Sequence, residues 1–61
     1  MNEPAPVAWL CRWTDDGTEH ALVVWSSTIE DARQQARVHS AGPRTPVAAR
    51  IATRQEAGAV A

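Results

Sequence analysis

The chain has three tryptophans and neither phenylalanine nor tyrosine. Trp9, Trp13 and Trp25 therefore supply all of its large aromatic surface, and the face that collects them has the best claim to be core. Trp9 and Trp13 fall within Val7-Ala8-Trp9-Leu10-Cys11-Arg12-Trp13. Val, Trp, Cys and Trp alternate there with Ala, Leu and Arg. A period of two over seven residues predicts a strand.

Thr14-Asp15-Asp16-Gly17-Thr18 predicts a hairpin turn, since Asp and Gly are the residues that tolerate left-handed backbone. A three-residue loop with a bulge pairs Thr14 with Thr18. It sets Trp13 opposite Glu19, Cys11 opposite Ala21, Trp9 opposite Val23 and Val7 opposite Trp25. A two-residue Asp16-Gly17 turn would slide the second strand by one residue and exchange its faces. The three-residue version is preferred because it gathers all three indoles on one side.

The second strand should run from about Glu19 to Trp25. Ser27-Thr28-Ile29-Glu30 has capping-box spacing, with Ser27 as the N-cap, and Glu30 and Asp31 suit a first helical turn. Ile29, Ala32, Ala36 and His39 share one side of a helix that should end before Gly42 and Pro43. Val47, Ala49, Ile51 and Thr53 then alternate with Ala48, Arg50, Ala52 and Arg54 as a third strand. Residues 1–6, with two prolines, should be a loose lead-in, and residues 55–61 a frayed tail.

The expected fold is thus α+β: one small β-β-α-β domain. A three-stranded antiparallel sheet of order 2-1-3, with a right-handed crossover, carries one helix on one face. A chain of 61 residues buries only about 60% of its unfolded surface and needs support. The single cysteine excludes an intrachain disulfide. A homodimer is the remaining expected support. The formal net charge of −1 gives no global signal for nucleic acid or an anionic membrane. No apolar run nears a membrane span, and the N-terminal Met-Asn-Glu-Pro lacks the basic start of a signal peptide. With a free cysteine, this makes a cytoplasmic location the expectation.

Chemistry is sparse. Cys11 and His20 fall on opposite faces in the preferred register, so no nucleophile–base pair is expected. Cys11, His20 and His39 lack the paired spacing of a zinc site, and Asp15-Asp16-Gly17 lacks the further ligands of a calcium loop. No metal, cofactor or catalytic residue is assigned. The helix covers one sheet face. The other is expected to bind a partner, with Leu10, Leu22 and Val24 as apolar centre and Arg12, His20, Arg50 and Arg54 as rim. The expected function is a non-enzymatic protein-interaction module. A nucleic-acid-binding or regulatory role through Arg12, Arg50 and Arg54 is the alternative. In size and lack of an active-site motif the chain is similar to very small proteins of phages and mobile elements, anti-CRISPR proteins among them. That likeness implies inhibition of a host protein by binding and transfers no residue role.

Overall fold

A two-residue turn sets the register of the whole sheet. In the computed structural model, which describes residues 5–58, strand β1 (Val7–Asp15) and strand β2 (Thr18–Ser26) are joined by Asp16 and Gly17 alone. Both have positive φ, 52° and 79°. That is type I′ geometry, whose twist matches that of the flanking strands. Asp15 pairs with Thr18, Trp13 with His20, Cys11 with Leu22, Trp9 with Val24 and Val7 with Ser26. The three-residue loop is therefore corrected to two, and every β2 side chain exchanges faces.

Gly17 is the residue the turn depends on. A Cβ there would meet nothing within 4 Å, so any cost of substitution is backbone strain. Gly17→Val should lower stability by roughly 1–2 kcal/mol, the penalty for left-handed backbone in an L-residue. A urea unfolding curve measures it. An unchanged midpoint would mean the turn relaxes to another geometry.

Strand β3 (Ala48–Ile51) completes a three-stranded antiparallel sheet of order β2-β1-β3. The order matches the sequence expectation, although β3 spans only four residues. Helix α1 (Ile29–Ala36) crosses one face. Its N-cap is Thr28 rather than Ser27: the Thr28 hydroxyl accepts from the Asp31 amide at 3.2 Å. Asp31 in turn accepts from the hydroxyl of Ser26, at 2.7 Å, and from the amide of Gln35. These bonds hold its carboxyl below the usual carboxylate range, Ser26 contributing most. The helix widens into a π-helical turn, Arg37–Ala41, and stops at Gly42, φ 100°.

Ala32 and Ala36 are fully buried. Methyl groups on this stripe let α1 come close to the sheet. The Cys11 thiol lies 3.6 Å from the carbonyl oxygen of Ala32. The core is Cys11, Trp13, Val24, Ala32, Ala36 and Val47, with Trp9, Leu22, Ala41 and Ala49 half-buried at its margins. Trp9 donates its indole N–H to the Ser26 carbonyl at 2.9 Å. Trp25 is instead 60% exposed on the opposite face, so the grouping of three indoles does not occur.

Residues 55–58, expected as part of a frayed tail, form with Arg54, expected in the third strand, a short helix α2 (Arg54–Gly58) that packs against β1. A reciprocal capping box starts it. The Thr53 amide donates to Glu56 at 2.8 Å, and the Glu56 amide donates to the Thr53 hydroxyl at 3.1 Å. The rest of the expected lead-in and tail, residues 1–4 and 59–61, lies outside the described residues.

Candidate functional site

Strand alternation divides the side chains into two sets. Trp9, Cys11 and Trp13 share the helix-covered face with their β2 partners Val24, Leu22 and His20. Ala8, Leu10, Arg12 and Thr14 share the open face with Trp25, Val23, Ala21 and Glu19. From β3, Ala48 and Arg50 join the open face opposite Arg12 and Leu10.

Three of the seven expected interface residues are therefore misplaced. Val24 is buried in the core, and Leu22 packs half-buried against it. His20 stacks on Trp13, ring centroids 5.7 Å apart at 17°. The cause is the one-residue shift at the hairpin. Leu10, Arg12 and Arg50 do lie on the open face. Arg54 lies in α2 rather than in a strand.

The corrected open face has a different apolar centre. Leu10 and Val23 are half-buried and Trp25 stands out from the sheet. The register, which reverses with the turn, is the signal that finds Val23 and Trp25. On one side Arg12 pairs with Glu19. On the other, Arg50 grips Glu56 of α2 in two parallel bonds of 2.8 and 2.7 Å, the fork-to-fork geometry suited to Arg and a carboxylate. The face thus carries both charge signs, already matched within the chain.

The Arg50 bonds, helped by the Thr53 amide, lower the Glu56 carboxyl from 4.5 to about 2. A depressed acid stabilises the fold above its unfolded value and loses that contribution as pH falls through its folded one. The α2 anchor should hold above about pH 4.5 and loosen towards pH 2. Urea midpoints measured between these limits should fall with pH, and Glu56→Gln should flatten the fall. An equally steep fall in the variant would place the acid sensitivity elsewhere, with Asp31 the next carboxylate to examine.

The free edge of β2 bears on docking as well. The Asp15–Thr18 closure turns the backbone of Glu19, Ala21, Val23 and Trp25 outward from β1. Gln35 donates from its side-chain amide to the Trp25 carbonyl at 3.3 Å. The helix so covers one end of an edge that would otherwise pair with any extended chain.

Cys11 and His20, expected on opposite faces, share the helix-covered one. They still form no nucleophile–base pair. Cys11 is fully buried, its thiol is directed at the Ala32 carbonyl, and desolvation pushes its pKa up despite the nearby Arg33 guanidinium. A reactive cysteine needs the thiolate. Among the described residues no three His, Cys, Asp or Glu side chains converge as metal ligands. No helix among them is long and apolar enough to cross a membrane. Compared with protein-family models, with curated proteins and with solved structures, the chain matches none.

Proposed function

We propose that the chain is a small non-enzymatic interaction module whose open sheet face docks a second copy of itself. The observation that carries this reading is Trp25, 60% exposed in a row with Val23 and beside Leu10. A large indole left in water is unfavourable, and interface energy concentrates on such aromatic anchors. The matched pairs Arg12–Glu19 and Arg50–Glu56 favour a partner with no strong charge of its own. A copy of the same face meets that condition. The small core is a second support, because a domain of this size gains from oligomerisation.

Light scattering across a concentration series tests the reading. The wild-type chain should approach dimer mass, and Trp25→Glu should stay monomeric. A wild-type monomer at high concentration would overturn self-docking. Trp25-dependent capture of a different protein would then assign the face to a foreign target, as in an inhibitor.

The exposed indole also favours a second reading, single-stranded nucleic acid, because a base can stack on it. Two of the three arginines counted for that role are held by Glu19 and Glu56, which leaves little free positive charge on the face. A mobility shift that weakens with rising salt and disappears in Trp25→Ala would support it.

A further inference from the structure

On the other face, the hairpin reaches past the end of the helical run. A cavity of about 360 Å³ lies between them, lined by Trp13, Asp15, His20, Ala21, Leu22 and Ser40. Its position follows from the two-residue turn, which places Asp15, Trp13 and His20 together on the helix-covered side.

Three properties of the lining favour a cation. Asp15 brings a carboxylate that forms no ion pair, since those among the described residues go to Glu19, Glu30 and Glu56. Trp13 and His20 stack on each other, and His20, the exposed member of the pair, offers a planar ring on which a guanidinium stacks. Ser40 belongs to the π-helical turn that ends the run from Ile29 to Ala41, so the negative end of the helix dipole lies at the cavity wall. No arginine is among the lining residues.

We propose that this cavity binds a guanidinium group, presented as an arginine side chain by another protein. Guanidinium is planar, stacks on rings and donates two parallel bonds to a carboxylate, whereas ammonium is a compact point charge. The carboxylate of Asp15 is the anchor, the Trp13–His20 pair the stacking wall and the Ser40 hydroxyl a further acceptor. This site does not depend on the open-face reading, because apart from Ala21 on the edge strand β2 none of its lining residues lies on that face.

The test is a titration of the whole chain with N-acetyl-arginine amide at low salt, followed by heteronuclear NMR. N-acetyl-citrulline amide is the neutral isostere and free arginine the small-molecule arm. The arginine amide should shift the Trp13 indole N–H together with the His20 and Ser40 signals, saturably. The citrulline compound should not. Asp15→Asn should weaken binding about fivefold or more, as loss of a charge-assisted pair does. Ser40→Arg, at an exposed position, should fill the cavity with its own cation and abolish the shifts. Equal binding of citrulline, shifts that map away from the cavity, or an unaltered affinity in Asp15→Asn would overturn the proposal. Tighter binding of free arginine than of the amide would overturn the protein-borne source and assign the cavity to a small molecule.

Discussion

Trp13→Ala should destabilise the fold by about 3–5 kcal/mol. Trp13 is 8% exposed and lies on the central strand. It packs in a core whose other fully enclosed members are a cysteine, two alanines and two valines. Truncating a buried tryptophan costs about 3–5 kcal/mol, and small side chains around it cannot close the void. A domain of about 60 residues has roughly 3–9 kcal/mol of stability in total. The mutation therefore removes at least about a third of it, along with the stacking surface of His20. Far-ultraviolet circular dichroism in urea reads the loss directly. Trp9→Ala should cost less, because Trp9 is only half-buried, although the Ser26 carbonyl loses its indole donor. If Trp13→Ala unfolds at the wild-type urea concentration, Trp13 is not central to the core.

Trp25→Glu should have the largest effect on association and a small one on folding. The side chain stands 60% exposed, so the folded monomer loses little packing when it is replaced. In a docked state the same position would bury a carboxylate against Leu10 and Val23 without a partner. An unpaired buried charge costs several kcal/mol, which is a loss of at least about a hundredfold in affinity. Urea unfolding at low concentration should stay within about 0.5 kcal/mol of wild type, the usual range for surface changes. A variant that still dimerises with wild-type affinity would sink the open-face reading. A variant that unfolds would show instead that Trp25 serves the monomer.

The element order was legible from alternation and punctuation. Val7 to Trp13 reads as a strand and Gly42-Pro43 as a stop, and the 2-1-3 order is the one the sequence favours over a mixed sheet with the third strand beside the second. The register was not legible. Both Thr14–Thr18 and Asp15–Thr18 closures suit the Thr-Asp-Asp-Gly-Thr segment, and β2 reads Ala21-Leu22-Val23-Val24-Trp25, apolar on both faces. Local pattern cannot choose between them. Packing does: α1 lies so close over Cys11 that Val24 and Leu22 fit beside it, and Ser26 meets Asp31. Grouping indoles on one face was the wrong criterion: Trp9 and Trp13 face α1, but the two-residue turn carries Trp25 to the other side. Three of the seven expected site residues, His20, Leu22 and Val24, moved for this one reason. The Thr53–Glu56 capping box had the same spacing as the one proposed at Ser27–Glu30. Gly58 and the lack of a strong pattern from Gln55 onward read instead as a frayed tail.

The closeness of α1 to the sheet also gives the molecule an internal clock. Cys11 is the sole thiol in the sequence and has no surface in contact with water. An alkylating reagent can reach it only after α1 leaves the sheet. With excess reagent, the labelling rate reports how often the helix lifts, and at lower reagent it reports the population of the open form. Covering the opposite face with a partner would slow this labelling even though the partner never touches the sulfur.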